Sequence, residues 1–539
     1  MSRTPALRRL QRLFAVAEHC RRSGEPAAVA LPRLREAAAS AASATVQRRR
    51  LLKAGAAGGL VGALPLATRA ALGAGAADVA VVGAGFAGLY AATVLAGKGA
   101  VPTVFEAGDR VGGRVWSLHG RFPGQVAERG AELIDTTHST LRGLARRYGL
   151  KLESYAQSQH PGEEAFYFDG RHYSEVEIVE QYRAFVPAMR ADLARIGNGP
   201  TALDHTAAER ALDFTSLRDY LAQRGAGPLL RKVLDVAYTI EFGREIDRQS
   251  ALSLLFFAAT NRRQAFTPFG VFSDERFHIV EGNDRVATGL AAELPAPVRQ
   301  GHRLVRVARV ADGRVRLSFV LGSGSVVETL HAAVVLALPA PLMREIEFAP
   351  SAALPAANRF AIDHFDYGTS SKLMVGFNGR PWFERQGSNG ASYSDQPQHQ
   401  ATWETNPSLA RNYERGVLTH FTGGNLGASL DPARTQAEAT AFLADLERVY
   451  PGSAALARRD TRQQIVAHAE NWLRLPLFKG AYSNNQPGYF TSLEGLYARP
   501  AGNIHFAGEH TDSFYGYQGF MEGALVSGAR AADEVLRSL

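Results

Sequence analysis

The apolar positions along the chain follow two rhythms. Residues 79–82 (VAVV) form a continuous apolar run, the pattern of a strand buried on both faces. From Phe86 to Lys98 the apolar positions take helical spacing, ending near Gly97 and Gly99. A second run, Val101 to Phe105, predicts another strand. Residues 176–262 keep the helical period along QYRAFVPAMRADLARI and SLRDYLAQ. RLVRVARVADGRVRLSF (303–319) alternates around Asp312-Gly313 and predicts a hairpin. AAVVLALPAP (332–341) predicts a buried strand. KLMVGF (372–377) and GVLTHFTG (416–423) predict a sheet within 363–480. Near the end, residues 504–507 predict a strand and the chain closes on a helix after Met521.

The turn between the first strand and the first helix carries the first chemistry. VAVVGAGFAG (79–88) holds Gly83, Gly85 and Gly88, with Phe86 and Ala87 opening the helix. Gly83 permits a tight turn, Gly85 lets a pyrophosphate approach the backbone, and Gly88 lets helix and strand pack closely. The helix N-terminus offers free N–H groups and the positive end of its dipole to phosphates. Glu106, followed by Ala107, closes the second strand about 20 residues after the turn, where a ribose hydroxyl is read. An acid there disfavours a 2′-phosphate and so NADP. The expected fold class is α/β.

Composition narrows the function classes. A chain of 539 residues exceeds one compact core, and 46% hydrophobic with 21% charged residues is ordinary globular composition. The net charge of +8 is not spread evenly. Residues 1–76 carry 13 Lys/Arg and 3 Asp/Glu, a net of +10, and the remainder carries 47 and 49, a net of −2. The body therefore offers no basic face to nucleic acid. Its only cysteine, Cys20, precedes the body, which excludes disulfides, thiol nucleophiles and a cysteinyl-linked cofactor there. No His/Asp/Glu spacing demands a metal. No apolar run reaches the roughly 20 residues of a stable membrane span.

The first 76 residues read as two parts. Residues 1–46 are a basic extension with an amphipathic helix around Leu7, Leu10 and Phe14. Residues 47–76 (QRRRLLKAGAAGGLVGALPLATRAALGAGA) resemble a twin-arginine export signal, with Ala74-Gly75-Ala76 as a cleavage site. The expectation is export to the periplasm; the alternative is a disordered basic tail on a cytoplasmic protein.

Further segments extend the nucleotide frame. EAGDRVGGRVWS (106–117) adds Gly112, Gly113 and Arg114; ERGAELID (128–135) and HIVEGNDRVATGLAAEL (278–294) follow; NIHFAGEHTDSFYGYQGFMEGALVSGARAADEVL (503–536) closes the chain. Together they resemble the flavin-containing amine oxidase family of monoamine, polyamine and L-amino-acid oxidases. The resemblance runs from Asp78 to the C-terminus, specific at its two ends and diffuse between them, with Asn283 where the family commonly has glycine. It implies a Rossmann-like FAD domain of the GR2 type, assembled from 78–150, 278–345 and 500–539. A mixed α+β substrate domain then comes from 151–277 and 346–499. FAD is the expected cofactor, non-covalent because Ala481 stands where covalent members have cysteine.

The resemblance also implies the site. The FAD contacts are expected at Gly83, Gly85, Phe86, Ala87, Gly88, Glu106, Ala107, Gly113, Arg114, Gly130, Ala131, Glu132, Val305, Gly508, Glu509 and Met521, with the Val305 backbone on the adenine. Lys372 matches a lysine that holds a water near flavin N5. Tyr482 and Phe520 match an aromatic slot for the amine, and Trp472 is a further aromatic candidate. Leu133 stands where amino-acid oxidases place a carboxylate-binding arginine. Asp135 either meets a cationic tail or caps the turn before Thr136 and Thr137. The implied reaction passes a hydride from the amine-bearing carbon to flavin N5. Imine hydrolysis follows, and O2 reoxidises the flavin to give peroxide. An L-amino-acid oxidase or flavin monooxygenase, a flavin desaturase or protoporphyrinogen-type oxidase, and a non-catalytic flavin module share much of the frame. The expected partners are a small amine and O2, with the oligomeric state open and a homodimer among the options.

Overall fold

In a computed structural model of the protein, residues 5–37, 77–155, 162–197, 199–259, 274–406 and 415–539 are described. Four strands lie parallel in the order Ile504–Phe506, Ala333–Leu336, Asp78–Val82, Val101–Phe105. Val79 to Val82 are buried, as a strand covered on both faces requires. Three distant stretches of chain thus meet in one sheet.

Helix Phe86–Gly97 follows the first strand and is covered by the C-terminal helix Met521–Ser538. Their crossing is close: a Cβ on Gly528 would stand 2.3 Å from the Ala87 carbonyl oxygen. The crossing brings the N-termini of both helices to one cavity, which Phe86, Ala87 and Met521 line.

A separate seven-stranded sheet runs in the order Ala467–Asn471, Ser371–Phe377, Gly416–Thr422, His399–Glu404, Ser388–Gln396, Glu163–Phe168, Arg171–Tyr173. Its register decides what it offers the cavity. Lys372 lies opposite both Phe421 and Glu470, and Trp403 lies opposite Thr419, two residues from Phe421. Side chains two apart on a strand share a face, so Lys372, Phe421 and Trp403 point the same way.

Helices pack on the same face, further along the sheet, against Tyr393 and Phe166. Glu175–Leu193 begins at a capping box in which Ser174 and Glu177 satisfy each other's backbone N–H. Against it lies the N-terminal segment, expected as a basic extension and alternatively as a disordered tail. The amphipathic helix expected around Leu10 and Phe14 is present: residues 5–23 are a helix, residues 27–37 are helical, and both pack into the core. Leu10, Leu13, Phe14, Val16 and Leu31 join Tyr182, Phe185, Val186 and Met189 in one cluster. Phe14 meets Tyr182 edge-on at 5.5 Å. Glu18 pairs with Arg190 at 3.0 Å, and Arg35 pairs with Glu163 at 3.1 Å and with Glu175. The basic residues ring an apolar stripe, and the stripe finds a partner face. The export-signal expectation at 47–76 lies outside the described residues. Among the described residues, no helix is long and apolar enough to cross a membrane.

Candidate active site

The glycine turn is built around close approaches. Gly83 has φ +103°, its N–H donates to the Phe105 carbonyl at 2.7 Å, and a Cβ there would meet the Ala337 oxygen at 2.5 Å. A Cβ on Gly88 would stand 1.9 Å from the Gly83 oxygen. Gly85 differs: the nearest atom to its Cβ position is Gly113 Cα at 3.8 Å. Beside Gly85 the backbone is open to the cavity, the room a diphosphate needs at a helix N-terminus. Glu106 lines the same cavity with Ala107, and its carboxylate accepts from Ala84 N and Gly108 N at 2.8 Å each. Two backbone bonds thus aim it, and its remaining lone pairs are available to a ribose.

At this end Val305 sits in the strand His302–Arg309. The cavity is lined by its neighbours His302, Arg303 and Leu304. Alternation along the strand turns the Leu304 side chain inward, whereas the contact expected of Val305 is made by its backbone.

The middle of the cavity carries the second glycine pair and the C-terminal segment. Arg114 donates to the Ala481 carbonyl at 2.6 Å and to Glu509 at 3.0 Å. Glu509 also accepts from Ser483 Oγ at 3.0 Å and Gly519 N at 2.8 Å. The Glu509 carboxylate therefore ties Arg114, the segment bearing Tyr482 and the turn before Phe520 together. Gly130 is wedged: a Cβ would meet the Arg114 oxygen at 2.0 Å and the Trp472 ring at 2.8 Å. Trp472 itself donates to the Arg129 carbonyl at 3.0 Å and lines the cavity with Gly113, Gly130, Ala131, Gly508 and Met521. Gly88 is the one expected contact of the turn absent from the lining, because its place is under the turn rather than on its open side. His510, next to Glu509, is held far below the usual histidine range, at about 3, by burial. It enters as a neutral ring 3.0 Å from the Tyr367 hydroxyl.

Beyond Gly130 the wall changes character. Lys372 Nζ donates to Glu132 Oε2 at 2.5 Å, to the Gly130 carbonyl at 2.8 Å and to the Glu128 carbonyl at 3.1 Å. All three ammonium N–H bonds have protein acceptors within reach. Glu132, expected against the cofactor, turns its carboxylate to Lys372 and to Trp403 Nε1 at 3.0 Å. Tyr482 donates to the Glu241 carbonyl at 2.7 Å, and Phe520 is packed by the edge of His138 at 5.2 Å. Tyr482, Phe520, Trp403, Phe421, Leu133, Ser370 and Glu275 complete the lining here.

Asp135 does not reach this compartment. It is fully buried, accepts from Glu275 N at 2.7 Å, and faces His138 at 3.5 Å. Its carboxylate holds the Glu275 backbone, Thr136 N and Oγ1 donate to Asp274, and Glu275 joins Glu132 as an acid on the cavity wall. Sequence reasoning missed Glu275 and Trp403. Trp403 is far from any motif and had only its aromatic character as a signal, Glu275 lies three residues before the segment 278–294, and each arrives through strand or turn pairing.

Behind the wall, Asn283 explains its departure from glycine. Its N–H donates to Glu128 Oε1 at 2.8 Å, and its Nδ2 to the carbonyls of Ala131 at 3.0 Å and Glu132 at 2.8 Å. It clamps the segment from which Lys372 hangs. Burial pushes the Glu128 carboxyl up to about 8, against the bonds from Asn283 N and Ser117 Oγ. A raised folded value adds stability that is complete below the ordinary value of 4.5 and is lost as pH climbs through about 8. Glu128→Gln keeps an acceptor and removes the titration. Melting temperature should therefore fall less between pH 6 and 9 in the variant, the group's share being about 1.4 kcal/mol per pH unit at most. Equal slopes would remove Glu128 as the source.

Among the described residues, no group of three or more His, Cys, Asp or Glu is placed to hold a metal ion. Comparison with known proteins gives one consistent picture. Residues 86–536 match the family model for flavin-containing amine oxidoreductases. An L-amino-acid oxidase of Siganus canaliculatus is 26% identical over 474 residues, 85% of each chain. The AofH protein of Mycobacterium tuberculosis, named as a flavin-containing monoamine oxidase, is 28% identical over 477 residues, 85% of this chain and 96% of its own. A putrescine oxidase structure aligns with TM-score 0.69 at 22% identity, over 86% of this chain and 99% of its own. Cyclohexylamine oxidase from Brevibacterium oxydans aligns with TM-score 0.70 at the same identity and coverage.

Proposed function

The chain belongs to the flavin-containing amine oxidoreductase family, and from that premise we propose that it oxidises amines lacking an α-carboxylate. The observation that carries this reading is the lining at the Lys372 end. Leu133 is apolar, Lys372 is spent on Glu132, and Glu275 is an acid. An amino-acid carboxylate entering here would meet Glu275, and no cation of this compartment among the described residues is left to receive it. Arg114 and Arg129, further along, are each committed to a glutamate, Glu509 and Glu470. Desolvating a carboxylate without a partner is costly, which works against amino acids.

FAD supplies the hydride acceptor and the route to O2. The residues supply binding, orientation and shielding. Phe520, Tyr482, Trp403 and Phe421 form aromatic walls that hold an uncharged amine and keep water scarce. Tyr482 is pinned through its hydroxyl to the helix ending at Phe242, so the wall does not drift. Glu275 receives the positive tail of a diamine or the alkylammonium form on entry. Lys372 holds a positive charge beside the reacting centre. Arg114, Glu106 and the two helix N-termini hold the nucleotide.

A peroxide assay on paired substrates tests this: putrescine against ornithine, phenethylamine against phenylalanine. The amine of each pair should turn over at least about tenfold faster in kcat/KM, a difference of roughly 1.4 kcal/mol. Amino acids as the faster partners would overturn it. Lys372→Met should slow reoxidation of the reduced flavin by O2 at least about tenfold. An unchanged rate in stopped-flow would take Lys372 out of the chemistry.

A further inference from the structure

We infer that Glu132 is a positioning residue: with Trp403 it seats Lys372 as a stationary charge on the cavity wall. The inference rests on the role of Lys372 given above. Three acceptors surround Lys372 Nζ, two of them backbone carbonyls on the 128–132 segment. Carbonyls alone attract an ammonium weakly and leave its charge uncompensated in a buried place; Lys372 is 5% exposed and Glu132 7%. The carboxylate supplies the compensation.

Glu132 is in turn aimed by its other oxygen. Oε1 accepts from Trp403 Nε1 at 3.0 Å. The Tyr155 hydroxyl lies 3.5 Å from the same oxygen, but its single hydrogen goes to the Thr405 carbonyl at 2.6 Å. Trp403 is therefore the donor that orients Glu132, and the same bond fixes the indole as cavity wall. Asn283, bonded to the Ala131 and Glu132 carbonyls, prevents the segment from following the lysine. With every N–H of Lys372 engaged, its effect on the cavity is its charge and not a free donor.

The test uses the FAD-loaded enzyme reduced with dithionite, so no amine is needed and failure of the substrate reading does not affect it. Glu132→Gln should slow reoxidation by O2 at least about fivefold, while Glu132→Asp recovers to within about twofold. On the Lys372→Met background, Glu132→Gln should add less than about twofold, because the two residues act as one unit. Two readouts do not depend on turnover. Sulfite, an anion that adds to oxidised flavin, should bind at least about fivefold more weakly in Lys372→Met and in Glu132→Gln, where the lysine left without its carboxylate turns away from the cavity wall. In the apoprotein, the losses in melting temperature of these two variants should be markedly non-additive. If Glu132→Gln takes up no FAD, Trp403→Phe carries the test, with an expected slowing of at least about threefold. Rapid reoxidation and unchanged sulfite affinity in Glu132→Gln, beside a slow Lys372→Met, would overturn the positioning role and leave the Lys372 reading intact. Rapid reoxidation in Lys372→Met would remove both.

Discussion

A chain lacking residues 1–37 should be recovered mostly insoluble, or as a soluble protein that melts far below the full chain. The segment buries Leu10, Leu13, Phe14, Val16 and Leu31 against Tyr182, Phe185, Val186 and Met189. At about 1.5–3 kcal/mol for each large apolar side chain buried, five of them represent roughly 7–15 kcal/mol. That is comparable with the whole stability of a domain, about 5–15 kcal/mol. Ordering the segment costs part of this, but removal also leaves the face of the helix Glu175–Leu193 open to water. Soluble yield and thermal melting of the truncated chain are the readouts. A truncated protein melting within about 2 °C of the full chain would mean that the segment contributes almost nothing.

The second large effect is expected at Gly88. Gly88→Ala places a methyl 1.9 Å from the Gly83 carbonyl, so the turn must move. The turn cannot move without closing the open side of Gly85, where the diphosphate is expected. Purified Gly88→Ala should carry less than about one-tenth of the normal FAD, because displacing the turn by an ångström forfeits several backbone bonds to phosphate. The ratio of flavin to protein absorbance reads this directly. Full occupancy would show that the turn is more plastic than its contacts imply. Gly85→Ala is the matched control: its Cβ meets no protein atom closer than 3.8 Å, so the polypeptide should fold normally and lose cofactor only through steric conflict with the ligand.

The nucleotide end was legible in the sequence because its logic is local. Strand, turn, helix and Glu106 lie within 30 residues, and each glycine has a neighbour in the same unit or the strand beside it. Which side chain of the strand His302–Arg309 turns inward is fixed only when the partner strand and the cavity are known, and it is Leu304. Asp135 was ambiguous for a similar reason: an acid after a turn can face inward or outward, and the pairing of Ile134 with Phe277 turned it inward and put Glu275 on the wall. Trp403 and Phe421 needed the register of the seven-stranded sheet, which no local pattern encodes. The N-terminal segment was legible in part. Its charge suggested a leader, while its apolar period around Leu10 and Phe14 already held the signal of a packed helix; the face it packs on is more than 160 residues away.

The most direct measurement of the central claim is anaerobic reduction of the enzyme-bound FAD by matched substrates, followed at its visible absorbance. Mixed with putrescine or phenethylamine, the flavin should bleach in a single substrate-dependent phase. Ornithine and phenylalanine, which add only a carboxylate, should bleach it at least about tenfold more slowly at equal concentration. Faster bleaching by the amino acids would contradict the reading of Leu133 and Glu275, and an FAD that no amine reduces would contradict amine oxidation itself.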